Sequence, residues 1–333
     1  MPVFMGERLR WGPGPGNARM TGIVGQRQDV GKHRLRGRRM EAINARSIFS
    51  PATGFIRRGG FDWTCNPYVG CSFGCKYCYA MFLPQNRRPK EDWGRWFQAK
   101  ANAVELARKQ APKVAGQAVY LSSVTDPYLP AERVLCLTRG VVEVLVPYQP
   151  RLLIQTRGPL VVHDLDVIRR FQAVRVNFSI PTDSEKVRQT FEPKAPPLER
   201  RWQALAAIKA AGVPVGLCVT PMLPLEDTGA FVRRVVAFNP DVLVVQDFHD
   251  SGGGFGADTG AAARRLLAEL RWTEDDYRRC AARLREYREV YEGEQGFFPP
   301  PARARPVQSD VYTGVVSSPG EPGGVSPRGY LSP

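Results

Sequence analysis

The chain has 333 residues, 43% of them hydrophobic, enough to bury a full core in one large domain. No run of eighteen apolar residues occurs, so no helical membrane span is expected, and seven cysteines, an odd number, argue against a disulfide framework. A net charge of +15 excludes a generally acidic surface; Glu7, Arg8 and Arg10 interrupt the apolar start too early for a signal-peptide core, so a reducing cytoplasm is the expected setting.

Residues 1–50 hold ten Lys and Arg against Glu7, Asp29 and Glu41, a balance of +7. Residues 1–48 mix Gly, Pro and Arg with little periodicity and read as a basic, largely unstructured arm. Its cluster from Lys32 to Arg39 has the charge to neutralise nucleic-acid phosphates, and equally that of a solvated tail. A first strand is predicted over Phe61–Asn66. Trp93, Trp96, Phe97, Val104 and Ala107 share one face of a helical pattern. Strand-like apolar runs then recur at Gln117–Ser122, Arg151–Gln155, Val174–Ile180, Val213–Thr220 and Val242–Gln246. Helices are predicted over Arg133–Val146 and Leu198–Ala211, the second stopped by Gly212. A glycine run at Gly252–Gly256 suits a lid, and an amphipathic helix over Thr273–Tyr291 suits the flank of the fold. Residues 299–333 turn to Pro, Gly and Ser and read as a disordered tail, leaving 49–298 as the domain.

Six βα units without a Gly-x-Gly-x-x-Gly after the first strand predict a parallel α/β barrel rather than a dinucleotide-binding sheet. Barrel chemistry gathers at the C-terminal strand ends. Those ends are polar here: the loop after strand one, then Thr125-Asp126, Thr156-Arg157, Ser179, Thr220-Pro221, and Asp247 with His249.

The loop after strand one carries the sharpest signal. Cys71, Cys75 and Cys78 stand in the spacing C-x3-C-x2-C. Three thiolates on a cubane leave one iron without a protein ligand, whereas closed structural sites take four. A zinc knuckle with Cys65 as fourth ligand and a set of plain buried thiols are the alternatives. Cys65 itself reads as a small apolar strand residue, and Cys136, Cys218 and Cys280 as core thiols.

With Tyr77 before the last cysteine, this motif resembles the signature of the radical S-adenosylmethionine (SAM) superfamily. Asn66-Pro67-Tyr68-Val69-Gly70-Cys71, Thr125-Asp126-Pro127-Tyr128 with Pro130 and Glu132, Glu192-Pro193 with Ala195-Pro196, and Pro221-Met222-Leu223-Pro224 resemble its spore photoproduct lyase-like branch. The resemblance implies a partial (β/α)6 barrel and a [4Fe–4S] cluster on the three cysteines. It further implies SAM on the open iron, cleaved with one electron from a reduced flavodoxin or ferredoxin to give a 5′-deoxyadenosyl radical. The substrate and any catalytic side chain stay unassigned. On that resemblance Thr125 and Asp126 would accept from the SAM ammonium and Arg157 would pair with its carboxylate, where the branch commonly has Lys. Ser179 would reach the ribose or carboxylate, Tyr77 the adenine, and Met222 would offer backbone contacts. A hydrogen-donating cysteine expected near the end of strand two in thymine-dimer repair has no counterpart in Leu121–Asp126. DNA repair and a non-catalytic iron–sulfur or nucleic-acid-binding protein therefore stand as alternatives to a SAM-cleaving enzyme.

Overall fold

In the computed structural model the described residues are 32–35, 38–83, 86, 88–248 and 260–302; the glycine run 252–256 and His249 lie outside them. The strands are β1 (Lys32–Leu35), β2 (Arg38–Ile43), β3 (Phe49–Pro51), β4 (Trp63–Cys65), β5 (Tyr68–Val69), β6 (Trp96–Lys100), β7 (Ala118–Leu121), β8 (Arg151–Thr156), β9 (Val174–Ser179), β10 (Val215–Val219), β11 (Val242–Val245) and β12 (Tyr291–Glu292). Strands β4, β7, β8, β9, β10 and β11 lie side by side, all parallel, with β3 antiparallel at one edge and β12 parallel at the other. This is the expected six-unit parallel architecture of a partial barrel.

Alternation along each strand divides the core in two. Leu152 and Ile154 of β8, with Val215, Leu217 and Val219 of β10, face the helical layer. Leu153, Tyr120 and Cys218 face the concave interior with Phe61, Val242 and Val244. The helical layer includes α2 (Ala103–Gln110), α4 (Leu137–Leu145), α7 (Leu198–Ala210), α8 (Thr228–Phe238) and α10 (Glu274–Arg285). The predicted end of α7 holds, with Gly212 at φ +71° just beyond it. The flank helix α10 begins at a capping box built by Thr273 and Asp276 and buries Cys280, Ala281 and Leu284. Helix α8 was not anticipated, although Asp227, accepting from Ala230 N, caps a run whose Phe231, Val232 and Val235 are buried at helical spacing.

Three expectations need correction. The pattern from Trp93 to Ala107 is not one helix: Trp96–Lys100 is β6, with buried Trp96, Phe97 and Ala99, and α2 starts only at Ala103. Spacings of three and four fit a helix, but pairing to two neighbours overrides them: β2 runs parallel along β6, and β5 antiparallel. For the same reason the arm does not extend to residue 48, since Arg38–Ile43 belongs to a four-stranded sheet ordered β1, β2, β6, β5. Finally, the helix predicted from Arg133 to Val146 is broken at Cys136, which adopts φ +48° and is exposed rather than a core thiol.

The C-terminal boundary also moves. Phe297 enters the concave core and stacks edge-on against Phe55 at 5.5 Å. Buried Arg175 on β9 donates to the carbonyl of Phe298 at 2.8 Å, and Arg151 donates to that of Pro300 at 3.1 Å. Residues 293–302 thus close the end of the barrel from which the strands start.

Candidate active site at the cysteine loop

The second sheet positions the cysteine loop. Strand β5 leads into Gly70, whose φ of +73° and approach to Trp96 leave no room for a side chain; a Cβ there would sit 2.6 Å from the indole. Gly74, at φ +68°, packs directly on the backbone of Gly94. The loop is pinned from the barrel side by Thr125 Oγ1, which donates to Gly70 O at 2.5 Å, and by Lys76 N, which donates to Phe191 O at 2.8 Å. Phe73 and Phe191 are buried beside it.

Cys71 and Cys75 are buried and Cys78 half-buried. Burial pushes the Cys71 thiol up to about 12; it also raises Cys75, against the pull of the Arg157 guanidinium, and Cys78. The three sulfurs act on one another electrostatically. Yet among the described residues no three His, Cys, Asp or Glu side chains converge to hold a single metal ion, for which donors about 2.3 Å from the metal must stand within about 4 Å of each other. Cys65 is elsewhere, on β4 in the outer core, its thiol also pushed up to about 12 by burial. Three thiols on one loop are the donor set a three-thiolate cluster would use, whereas a four-ligand knuckle would need Cys65, which packs in a different core cluster from Cys71 and Cys75.

Arg157, at the end of β8, links the loop to the barrel. Its Nη1 lies 3.2 Å from Cys75 Sγ and 2.7 Å from Tyr77 Oη, and it pairs with Glu192. Glu192 is fully buried; the oxygen that pairs with Arg157 also accepts from Tyr77 Oη, and its other oxygen takes Arg201 Nη2 at 2.5 Å. Arg201, also fully buried, is fixed by the carbonyls of Pro196 at 2.9 Å and Ser179 at 3.3 Å. Burial works against an ionised Glu192, but the Arg157 and Arg201 guanidiniums outweigh it and hold the carboxyl below its usual range. Arg157 itself, despite the cost of burial, is held protonated by Cys75, Glu192 and Tyr77.

The other expected residues divide. Asp126 is buried and used within the protein: Oδ1 accepts from Tyr128 N at 2.8 Å and Thr156 Oγ1 at 2.7 Å, and Oδ2 from Arg157 N at 2.9 Å. Burial raises its pKa in spite of these bonds. Ser179 lines the interior at the end of β9, its Oγ accepting from Gln155 Nε2 at 3.1 Å. Thr125 points back to the loop. The Met222 side chain lies in the outer core, and its N–H is used inside the protein, donating to Gln246 O at 2.7 Å. Glu192 and Arg201 were missed as site residues. The Glu192-Pro193 motif was visible, but not its partner 35 residues upstream.

Comparisons with known proteins bear on the fold and the family. An uncharacterised protein of Methanocaldococcus jannaschii is 30% identical over 165 residues, covering 50% of this chain and 62% of the relative. One from Acidianus two-tailed virus is 30% identical over 221 residues, 60% and 73% of the two chains. One from Mycobacterium tuberculosis is 31% identical over 186 residues, 53% and 54%. The chain thus spans between about half and three quarters of these relatives' lengths. Among solved structures, a spore photoproduct lyase variant superimposes with a TM-score of 0.53 at 15% identity, over 76% of this chain and 81% of that one, and another carries bound SAM and a dinucleoside spore photoproduct. The profile of the Radical SAM superfamily matches residues 65–235, from the strand that feeds the cysteine loop through the fifth barrel unit. With that match over half its length, and with the three cysteines presented at the mouth of a six-strand parallel barrel, the chain belongs to the radical SAM superfamily.

Proposed function

We propose that Cys71, Cys75 and Cys78 hold a [4Fe–4S] cluster with one iron left to SAM, and that the enzyme abstracts hydrogen from a substrate not yet identified. The observation that carries this reading is the buried three-thiol loop set against Arg157 at the barrel mouth. When bound, the cluster and SAM supply reductive carbon–sulfur cleavage and a 5′-deoxyadenosyl radical.

The protein's own groups bind and orient. Arg157 uses Nη1 inside the site, leaving Nε and Nη2 without a partner among the described residues and able to take the SAM carboxylate. Asp126 acts by position: it fixes the Arg157 backbone, and Thr125 fixes Gly70, so neither needs to be the ammonium acceptor first expected. Ser179 accepts from Gln155 and keeps its O–H to donate to the ribose or carboxylate. Tyr77, bonded to Glu192 and edge-on to Phe248 at 6.0 Å, offers a ring to the adenine.

A low-potential flavodoxin or ferredoxin is the proposed electron donor, and a cytoplasmic setting the proposed location. DNA repair of the photoproduct-lyase kind is the second reading, favoured by the shared fold; Leu121–Asp126 still lacks a thiol. Nucleic-acid binding through the basic cluster Lys32–Arg39, most of which lies on β1 and β2, stands as a further proposal.

The test is anaerobic reconstitution with iron and sulfide, then dithionite and SAM. Methionine and 5′-deoxyadenosine should appear in equal amounts, and Arg157→Ala should weaken SAM binding by roughly ten- to a hundredfold, ~1.5–3 kcal/mol. A cluster that forms but never cleaves SAM would return the protein to the electron-transfer or binding class.

A further inference from the structure

We propose that Arg157, clamped by Glu192 and Arg201, sets the reduction potential of the centre held on Cys75, a role separate from gripping SAM. The inference rests on the cluster reading above. It starts from an arrangement that substrate binding does not require. One nitrogen, Arg157 Nη1, faces three acceptors at once: Cys75 Sγ at 3.2 Å, Tyr77 Oη at 2.7 Å and a Glu192 oxygen. Two hydrogens shared among three acceptors fix the guanidinium over the sulfur. Glu192 cannot swing away, because Arg201 holds its second oxygen and is itself tied to two backbone carbonyls. The side chains of Glu192 and Arg201 are both fully buried, so solvent does not screen them.

Charge decides the sign. Two arginines and one shared carboxylate leave a net positive charge, and its nearest bearer to Cys75 is Arg157. The Asp126 carboxylate bonds the far, backbone side of Arg157 and acts on Cys71. A hydrogen bond to a ligating sulfur and a nearby cation both favour the reduced form of an iron–sulfur centre, since reduction adds one negative charge. Arg157 therefore raises the potential, and Glu192, by neutralising part of it, sets how far.

Two substitutions should then move the potential in opposite directions. Arg157→Gln lowers it and Glu192→Gln raises it, while Arg157→Lys, which keeps the charge, stays nearest the wild type. The measurement is a one-electron dithionite titration of each reconstituted protein without SAM, followed by electron paramagnetic resonance, with iron content checked first. At a fixed applied potential the reduced-to-oxidised ratio should change about tenfold in each direction, equivalent to about 59 mV. Equal potentials in all four proteins, with SAM affinity alone reduced in Arg157→Gln, would overturn the proposal and leave Arg157 a ligand-binding residue only. Shifts of the same sign in both Gln variants, or loss of iron in Arg157→Gln, would overturn it as well. A wild-type protein that takes up no cluster overturns the cofactor reading and this one together.

Discussion

The two ends of the barrel both bury arginine, and they satisfy it in different ways. At the mouth, Arg157 and Arg201 share the Glu192 carboxylate beside Cys75. At the closed end, Arg175 has no carboxylate bonded to it among the described residues. It is held by Asn177 Oδ1 at 2.9 Å, the Phe298 carbonyl, and the Phe298 ring at 4.4 Å. Burial accordingly lowers the Arg175 pKa to about 10, while Arg157 is driven the other way. An arginine tied to neutral carbonyls fastens one piece of chain to another. One that shares a carboxylate and also touches a thiol places charge beside a loop proposed to hold a reactive centre. On the proposed reading the mouth serves chemistry, while the closed end serves stability.

Cysteine substitution is the sharpest test of that division. Cys71→Ala, Cys75→Ala or Cys78→Ala should each abolish a [4Fe–4S] centre, judged by iron content and visible absorption, because one iron loses its thiolate. Cys65→Ala should leave the iron in place. Iron lost only in the Cys65 variant would reverse the assignment of ligands.

Glu192→Ala should come next. It strands two arginines, one wholly buried, and removing one partner of a buried ion pair costs about 3–5 kcal/mol. Chemical denaturation of the metal-free protein would measure it. A loss below 1 kcal/mol would mean that water enters the mouth and screens the three charges.

Behind the cysteine loop, Glu132 gives the mouth a pH dependence. It accepts from Tyr68 Oη and from Thr138 N at 3.0 Å, and burial pushes its carboxyl up to about 7 from an ordinary 4.5. Asp164, raised to about 6 by burial, adds to the repulsion. With the folded pKa above the unfolded one, the folded state binds more protons between these values, so stability is full below about 4.5 and falls as pH rises through about 7. Glu132→Gln removes this dependence. Its stability relative to the wild type should therefore improve by up to about 3 kcal/mol between pH 4.5 and pH 7.5. A difference that stays flat with pH would place Glu132 in contact with water.

The smallest effect belongs to the closed end. Arg175→Met keeps the bulk but leaves the Phe298 carbonyl without its donor, at a cost of about 1–3 kcal/mol. Iron loading and SAM cleavage should be unchanged once the protein is folded. A change in either would break the contrast between the two ends.

Much of this protein was set by sequence alone. Strands with continuous apolar runs must be buried on both faces, so six of them separated by helical patterns specify a parallel barrel. The C-x3-C-x2-C spacing fixes three thiols on one short loop, since eight residues of chain cannot carry them far apart. Gly212 stops α7 because few other residues adopt a positive φ at no cost. Tertiary structure alone decided the rest. Trp96–Lys100 reads as a helix until β2 and β5 bond its backbone from both sides. Pro299 and Pro300 read as the start of a tail until Arg151 captures their carbonyls. Glu192 stands in a visible Glu192-Pro193 motif, but nothing local names its partners. It joins the site because the barrel brings it to Tyr77, 115 residues earlier in the chain, and because the low-dielectric interior makes its pairing with Arg157 and Arg201 a condition of burial. Local patterns can specify which residues form strands and loops; which distant charges must neutralise one another is known only once the chain has excluded water from between them.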